Sequence, residues 1–499
     1  MTFHPVPVAS LLAAKRSTAI ASLCAAAAFG APAPQAQAPA PRAEVQTPSA
    51  PARTDGPRVI LRSQPLRPDG YSPTVREALL GLGADLSVLE GLPLTTVQGA
   101  GISGSLDLLT LTIPATGLDE SYLFYQPPAP TTNSPLMVHF HAASVSAYDL
   151  QFFTTFIDEA EARNWFILAP FQLVAEAPVT NSYSSLPSQS HVEFVLDYVL
   201  ANYPIDLDRI YGYGFSMGGG NALNYAARHL DRSRGTFAAL VNHTGTLCLT
   251  DEYNNALAPQ TLRPTLEARF GGPPATNRFE YVRSSVLDLD DDSQLILGGD
   301  HTAVNLAHLP IQSWYAVNDP QAHLVAQAQR LDELLALIPG ASHTLFPRPG
   351  NTHRWDTLDE TAVCDWFAAQ VYTQPQRGEL RIDQGGRFFA LDLTVGATDR
   401  FAHLFHDARP ERFSITQSSN IDEVRVEATE AGLDPSRNPF ELLVDTADGL
   451  PDSIVITGFT RTPGTVTRDG VATAQGWTYS AGTLTVQDPD GGTHLWSIE

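Results

Sequence analysis

The spacing of apolar residues changes along the chain, and each change predicts a different architecture. Between residues 97 and 372, short apolar runs alternate with segments in which apolar residues recur every three or four positions. The runs at 136–141, 165–169 and 209–213 predict buried strands, and 191–203 predicts an amphipathic helix. Alternating strands and helices are typical of a parallel sheet covered by helices. The central part of the chain is therefore predicted to be an α/β domain.

Three further apolar runs before residue 372 predict strands of the α/β domain: 237–242, 311–317 and 343–346. The pattern changes after residue 372. From there on, the chain contains short segments of alternating apolar and polar residues, separated by Gly, Pro and Asp: 388–393, 423–426 and 453–456. Such segments are typical of antiparallel strands. We assign 97–375 to the α/β domain and 376–499 to a C-terminal all-β, sandwich-like domain.

The N-terminal residues predict export from the cytoplasm. Lys15 and Arg16 precede a short apolar stretch that ends in small residues, and the pattern of 1–30 predicts a secretory signal peptide. Residues 31–57 are rich in Ala and Pro and predict an extended spacer, followed by a helical extension at 58–96. No later segment approaches the about 20 apolar residues of a membrane span. We expect a secreted or periplasmic protein without a membrane span.

Composition and charge exclude several classes of function. The formal net charge of −24 repels phosphate backbones, so we expect no nucleic-acid partner. Lys15 is the only lysine, so the folded part has neither a lysine Schiff base nor a phosphate-binding P-loop lysine. Cys248 and Cys364 remain after removal of the signal peptide, and either a disulfide or two free thiols fits them. Two cysteines are too few for a zinc site, and we expect no metal or cofactor.

One motif carries a specific chemistry. Gly214-Phe215-Ser216-Met217-Gly218 follows a predicted strand and opens a helical segment. A Gly-x-Ser-x-Gly sequence between a strand and a helix is the nucleophile elbow, a sharp turn that exposes the serine hydroxyl. It also places the serine at a helix N-terminus, where backbone N–H groups favour developing negative charge. Ser216 is therefore predicted to be a nucleophile.

A serine nucleophile requires a histidine base and a carboxylate that orients it. With this elbow, the chain order should be Ser, acid, His. Asp319 directly follows the predicted strand 311–317, and His353 follows the strand 343–346, so both are expected at the same sheet edge as Ser216. We predict Asp319 as the acid and His353 as the base. Other histidines and aspartates fit the order less well: His323, His343, Asp288 and Asp300.

An oxyanion hole requires two backbone donors. The N–H of Met217 should be one, and the loop after the strand that ends at His141 should supply the other. That loop continues Ala142-Ala143, so we predict the second donor to be the N–H of one of these two residues.

With these motifs, residues 97–372 resemble the α/β-hydrolases of the feruloyl esterase and poly(3-hydroxybutyrate) depolymerase group. The resemblance rests on Ile-Asp-Leu-Asp-Arg-Ile-Tyr at 205–211 leading into Gly-Phe-Ser-Met-Gly-Gly, a pattern shared with prolyl-oligopeptidase-like catalytic domains. It implies a doubly wound, mostly parallel sheet, with Ser216, Asp319 and His353 in the roles predicted above. Members usually carry His-Gly where this chain has His141-Ala142.

The resemblance also implies a cap insertion, which we place at 247–310. Side chains that could line a substrate pocket are His141, Phe215, Phe270, Tyr281 and Trp314. The alternative is that these aromatic residues only pack the cap onto the body of the domain. In the C-terminal domain, Phe401, Phe405, Trp477, Tyr479 and Trp496 predict either contact with a polysaccharide or polyester surface or packing on the catalytic domain.

Taken together, these patterns predict a secreted serine hydrolase of carboxylic esters, whose substrate is a small molecule or a polymer. Two alternatives stay open. One is a prolyl-oligopeptidase-like serine peptidase. The other is a catalytically inactive binding protein with the α/β-hydrolase fold, which Ala142 in the oxyanion loop would favour, since alanine disfavours the left-handed backbone that glycine permits.

Overall fold

The computed structural model describes residues 61–65, 103–113, 117–172, 181–290, 292–446, 451, 453–487 and 492–499. The predicted signal peptide and Ala/Pro-rich spacer lie outside these residues. Within the predicted helical extension, the described residues Leu61–Pro65 form a strand, because they pair antiparallel with Ser105–Ile113 at the edge of a sheet. The rest of 58–96 lies outside the described residues. A search of the described helices finds none with the length and apolar character to cross a membrane.

A nine-stranded sheet forms the centre of the described α/β domain. Its strands are β1 (Leu61–Pro65), β2 (Ser105–Ile113), β3 (Leu118–Gln126), β4 (Ser134–Phe140), β5 (Phe166–Pro170), β6 (Ile205–Phe215), β7 (Ala239–His243), β8 (Ile311–Ala316) and β9 (His343–Arg348). Their spatial order is β1-β2-β3-β5-β4-β6-β7-β8-β9, with parallel pairing from β5 to β9 and antiparallel pairing among β1, β2, β3 and β5. From β2 onwards this is the strand order of α/β-hydrolases, and the predicted fold class is confirmed.

Helices cover both faces of this sheet. They are α1 (Asp149–Phe153), α2 (Phe156–Arg163), α3 (Leu186–Asn202), α4 (Met217–Arg228), α5 (Leu249–Asn255), α6 (Pro259–Phe270), α7 (Pro274–Arg283), α8 (Ala322–Leu335) and α9 (Glu360–Ala368). Successive side chains of a strand point to opposite faces. In β4, Val138 accordingly packs with α3, α4 and α8, whereas Met137 packs with α2 and α9. Each buried strand thus contributes to two cores.

The two cysteines lie in different cores. Cys248 belongs to the core beneath α3 and α4, and Cys364 belongs to the core beneath α9. Both are buried free thiols, so the disulfide alternative is wrong. Burial raises the pKa of the Cys248 thiol to about 11, which keeps it protonated at neutral pH.

Three helices, α5 to α7, occupy the segment between β7 and β8 where the cap was predicted. They enclose a small apolar cluster that contains Leu266, Phe270 and Tyr281. Met217, the residue after the predicted nucleophile, belongs to the same cluster. The segment therefore packs directly against the start of α4.

The C-terminal region is a sandwich of two sheets. The first contains β10 (Arg377–Ile382), β13 (Ala402–Arg409), β14 (Arg412–Ser419), β16 (Phe440–Thr446), β18 (Val466–Arg468), β19 (Val471–Ala472) and β22 (Gly492–Ile498). The second contains β11 (Gly386–Phe388), β12 (Leu391–Val395), β15 (Ile421–Glu427), β17 (Ser453–Thr457), β20 (Trp477–Ser480) and β21 (Thr483–Val486). Leu442 from the first sheet and Ile456 from the second share one buried core. The predicted all-β, sandwich-like domain is confirmed.

Two details of this domain differ from the sequence predictions. The segment 388–393 is not one strand, because Phe389 adopts a positive φ of 56° and turns the chain between β11 and β12. Phe401 and Trp496, for which contact with a polymer surface was one of two predicted roles, are buried in the structure. Their rings pack within the protein and are not available to a polymer surface.

Buried polar groups join the sandwich to the α/β domain. Arg228, in the last turn of α4, donates hydrogen bonds of 2.8 to 3.0 Å to both carboxylate oxygens of Asp383. Arg283, at the end of α7, lies 3.4 Å from the same carboxylate. Asn305 also bonds the backbone N–H and carbonyl of Arg381. Asp383 thus connects the sandwich to both α4 and the cap segment.

Candidate active site

Ser216 occupies a strained turn between β6 and α4. Its φ and ψ are 55° and −124°, a backbone conformation that residues with a side chain rarely adopt. The Ser216 N–H donates to the carbonyl of His243 at 2.9 Å, which fixes the turn to β7. A Cβ at Gly214 would lie 2.1 Å from the Gly218 oxygen. The end of β6 and the start of α4 can therefore approach this closely only because residue 214 is glycine. The local geometry is that of a nucleophile elbow.

The structure brings Ser216, His353 and Asp319 into one hydrogen-bonded chain. His353 Nε2 lies 2.9 Å from Ser216 Oγ, and His353 Nδ1 lies 2.9 Å from Asp319 Oδ2. Asp319 stands in the turn after β8, where its Oδ1 accepts the backbone N–H of Gln321 at 2.8 Å. The two carboxylate oxygens therefore have separate partners, which fixes the orientation of the Asp319 side chain.

Burial decreases along this chain of groups towards the serine. The Asp319 side chain is 1% exposed and that of His353 is 19% exposed. The His353 ring packs on Phe215, with ring centroids 4.6 Å apart, and the Trp355 ring also lies 4.6 Å from Phe215. Phe215, predicted as a pocket residue, is itself buried and supports the histidine.

A second histidine lies beneath the site without adding charge. His243 is fully buried, and its Nδ1 lies 3.2 Å from the Tyr213 hydroxyl. Burial, together with the nearby His353, lowers the pKa of His243 to about 3. His243 is therefore neutral at physiological pH and does not oppose a positive charge on His353.

One backbone donor of the loop after β4 has no hydrogen-bond partner among the described residues. The Ala142 N–H donates to Asp149 Oδ2 at 3.1 Å, and the Ser144 N–H donates to Asn181 Oδ1 at 2.7 Å. Within the described part of the chain, the Ala143 N–H has no such partner. Of the two predicted loop donors, Ala142 is therefore occupied and Ala143 is available.

The left-handed residue of this loop is Ser144, whose φ is 62°. Ala142 is not among the residues with positive φ. The absence of glycine at position 142 therefore imposes no backbone strain there, and the geometric argument for an inactive protein loses its basis.

His141 does not face a pocket. It is fully buried, its Nε2 lies 2.9 Å from the Phe171 carbonyl oxygen, and its Nδ1 lies 2.8 Å from the Ala142 carbonyl oxygen. Both ring nitrogens face backbone carbonyl oxygens, which only accept, so a singly protonated ring donates to one of them. The predicted substrate contact is corrected to a role in holding the loop.

The remaining predicted pocket residues are packing residues. Phe270 and Tyr281 stack within the cap cluster, with ring centroids 4.8 Å apart, and both are buried. Trp314 is buried too, and its ring lies parallel to Phe346 at 4.5 Å. For these three side chains the packing alternative fits the structure better, because little of their surface is accessible.

The other histidines and aspartates considered for the triad have separate partners. His343 lies 2.9 Å from Asp332, and Asp288 pairs with Arg278 at 2.5 Å. His323 is buried, with its Nε2 2.6 Å from the Glu252 carboxylate. Burial alone would lower the pKa of His323, but the carboxylates of Glu252, Asp251 and Asp319 raise it above its ordinary value.

Sequence reasoning missed several residues that shape this site. Asp149 and Asn181 bond the loop after β4, and no short motif marks either of them. Only the position of Asp149 at the start of a helix directly after the loop hinted at such a role. In the described residues, no group of three or more His, Cys, Asp or Glu side chains could hold a metal ion.

The strand order and the elbow together decide the fold. The protein has the α/β-hydrolase fold. In a comparison with solved structures, 54% of the chain aligns with 97% of an S-formylglutathione hydrolase from Agrobacterium tumefaciens, at 15% identity and a TM-score of 0.40. A fluorophosphonate-binding serine hydrolase from Staphylococcus aureus aligns over 54% of this chain and 99% of its own, at 15% identity and a TM-score of 0.39.

A third match is an acylaminoacyl peptidase from Pyrococcus horikoshii. It is 12% identical, with a TM-score of 0.40, and the alignment covers 55% of this chain and 49% of the peptidase. No protein-family model and no curated protein matches the chain.

Proposed function

We propose that the protein is a serine hydrolase that cleaves carboxylic esters through an acyl-enzyme intermediate. The observation that carries the proposal is the chain of two 2.9 Å hydrogen bonds from Ser216 through His353 to Asp319. A serine hydroxyl becomes an effective nucleophile when a histidine accepts its proton and a carboxylate orients that histidine. The positive φ of Ser216 also supports the proposal, because strained backbone conformations cluster at functional sites.

The proposed reaction has two halves. Ser216 Oγ attacks the ester carbonyl while His353 Nε2 accepts its proton, and Asp319 stabilises the resulting imidazolium through Nδ1–H. The tetrahedral intermediate then collapses, and His353 returns the proton to the leaving alcohol. In the second half, His353 Nε2 accepts a proton from water as the water oxygen attacks the acyl-serine carbonyl. The bond from the acyl carbon to Ser216 Oγ then breaks, His353 returns the proton to Oγ, and the carboxylic acid is released.

Backbone donors would stabilise the negative charge on the tetrahedral oxygen. In this proposal the N–H of Met217, at the start of α4, and the N–H of Ala143 form the oxyanion hole. The neutral His243 beneath the site supports the proposal because it leaves the imidazolium of His353 without a charged neighbour on that side. No step calls for a metal or organic cofactor.

The location and the domain roles extend this proposal. The N-terminal pattern supports a secreted or periplasmic enzyme, with residues 97–375 as its catalytic domain and 247–310 as the cap. The substrate is an ester of a small molecule or a polymer. Residues 376–499 act as an accessory domain. The buried hydrogen bonds from Arg228 of α4 to Asp383 of this domain support a packing role more than a polymer-binding role.

The test is covalent labelling of the mature protein with a fluorophosphonate probe, followed by peptide mapping. We expect an adduct on Ser216 that is absent from Ser216→Ala. Ser190→Ala is the matched control, since Ser190 is an exposed serine whose hydroxyl bonds only the carbonyl of Pro187. Labelling should be paired with turnover of a short p-nitrophenyl ester and of a proline-containing anilide. Absence of an adduct on folded protein would contradict the proposal, and turnover of the anilide alone would favour the peptidase alternative.

A further inference from the structure

We propose that Asp149 is the positioning residue of the oxyanion hole, and that it aims the Ala143 N–H by holding the neighbouring Ala142 N–H. This inference rests on the proposed function of Ser216. Asp149 does not touch the substrate in this proposal. It acts through the backbone of the loop that follows β4.

The geometry around Asp149 divides its carboxylate between two partners. Oδ1 lies 2.7 Å from His139 Nε2, and Oδ2 accepts the Ala142 N–H at 3.1 Å. The side chains of His139 and Asp149 are both fully buried, with no exposed surface. Both oxygens of this buried carboxylate are hydrogen-bonded within the protein, which leaves the Asp149 side chain little freedom to move and makes it a rigid anchor.

His139 fixes the orientation of that anchor. It stands in β4, and its ring packs 5.2 Å from the ring of Tyr213 in β6. His139 Nε2 faces a carboxylate oxygen, which can only accept, so Nε2 carries a proton and donates it to Asp149. The sheet therefore holds Asp149 through His139, and Asp149 holds the loop through Ala142.

A second bond holds the loop on the other side of Ala143. The Ser144 N–H donates to the side-chain Oδ1 of Asn181. The backbone carbonyl of Asn181 in turn accepts a hydrogen bond from Arg269 Nε, in the cap helix α6, at 3.1 Å. The peptide of Ala143 thus lies between two fixed N–H groups, one held by the sheet and one held by the cap segment. An oxyanion donor is effective when its direction is set before the reaction begins. The arrangement supplies that condition without the glycine common in this loop.

The experiment compares Asp149→Ala and Asp149→Asn with the unaltered protein. We expect Asp149→Ala to lower kcat for a p-nitrophenyl ester about 100-fold, since loss of one oxyanion donor costs about 10²- to 10³-fold. KM should change less than about threefold, because the donor acts mainly in the transition state. Asp149→Asn keeps one oxygen for the Ala142 N–H and should recover most of the lost kcat.

The matched control is Asp332→Asn. Asp332 also bonds a histidine, with His343 Nδ1 at 2.9 Å, but it stands in α8 beside the edge strand β9. We expect its kcat to remain within about twofold of the unaltered protein, as for a surface substitution. An equal loss of kcat in this control would overturn the assignment of a specific role to Asp149.

A second measurement is independent of turnover. Hydrogen–deuterium exchange of the peptide spanning 140–145 should become faster in Asp149→Ala and stay unchanged in Asp332→Asn. Unchanged exchange in folded Asp149→Ala would overturn the proposed anchor, whatever the activity. If the exchange responds as expected but the unaltered protein hydrolyses no ester, the anchor stands and the proposed function fails.

Discussion

The two ends of helix α4 serve different purposes and are encoded differently. At its N-terminus, Ser216 has a positive φ, and glycines pack so closely that a Cβ at Gly218 would lie 2.0 Å from the Phe140 oxygen. At its C-terminus, Arg228 bonds Asp383, a residue 155 positions later in the chain. One end is shaped by neighbours in sequence, whereas the other depends on a second domain. The same helix thus connects the proposed chemistry to the stability of the whole chain.

The largest effect on activity is expected from Asp319, which reaches the N-terminal end of α4 through His353 and Ser216. Asp319→Asn should lower kcat/KM for an ester by about 10⁴-fold, because an amide no longer selects the histidine tautomer that accepts the serine proton. The free energy of unfolding should change far less, since an asparagine fits the same space. Parallel measurement of kcat/KM and of chemical denaturation checks both statements, and a loss below tenfold would contradict the role of Asp319.

This end of the helix was largely predictable from the sequence. The Gly-x-Ser-x-Gly motif forces a turn through local sterics, and parallel strands bring residues that follow β6, β8 and β9 to one edge of the sheet. Ser216, Asp319 and His353 could therefore be placed together from their order alone. The occupied Ala142 N–H was not predictable, because it depends on how the Asp149 side chain folds back from α1.

The second largest effect is expected at the C-terminal end. Asp383→Ala would leave Arg228 and Arg283 buried without their carboxylate, a loss that costs about 3–5 kcal/mol when one partner of a buried pair is removed. We expect this fall in the free energy of unfolding with little change in kcat at 25 °C. Denaturant unfolding followed by circular dichroism provides the measurement.

The control for this prediction is Asp399→Ala. The Asp399 side chain is 75% exposed beside Arg400, so its removal should change stability by less than about 0.5 kcal/mol. The unaltered protein could instead unfold in two separate transitions, of which only that of the C-terminal sandwich shifts in Asp383→Ala. Such a result would contradict the view that α4 and the sandwich stabilise each other.

The C-terminal end could not be predicted from the sequence. Arg228 stands in the last turn of α4, where an arginine is ordinarily a solvated residue that interacts favourably with the helix dipole. Nothing near Asp383 in sequence identifies its partner, because the pairing depends on the docking of two domains. The sequence patterns predicted the β domain itself, but the burial of Trp496 depends on how its two sheets pack. The Phe401 ring packs 5.4 Å from Phe279 of the cap helix α7, a contact that likewise depends on domain docking.

A smaller effect, opposite in sign to helix propensity, is expected for Gly218→Ala. Alanine ordinarily stabilises a helix by about 1 kcal/mol relative to glycine. Here the new Cβ would lie 2.0 Å from the Phe140 oxygen and 2.7 Å from the His141 oxygen, so we expect a destabilisation of about 1–3 kcal/mol. Thermal unfolding measures it, with Gly378→Ala as control, because a Cβ there would have its nearest neighbour at 3.9 Å. A stabilised Gly218→Ala variant would show that helix propensity outweighs close packing at this end.

The smallest effect concerns pH and the last residue of the C-terminal end, His229. Its ring stacks on Tyr225 at 3.9 Å, and burial together with Arg228 lowers the pKa of His229 to about 3. Between the ordinary value of 6.5 and this value, the unfolded chain binds a proton that the folded chain does not, so stability is lost as the pH falls. For a half-buried ring we expect a loss of about 1 kcal/mol between pH 7 and pH 5 that His229→Gln removes. Denaturation midpoints of both proteins at the two pH values measure it. His243 is present in the unaltered protein and in His229→Gln, and it contributes equally to the pH dependence of their stability. Any acid sensitivity that the two proteins share therefore belongs to groups other than His229. An identical pH dependence of the two proteins would contradict a role for His229.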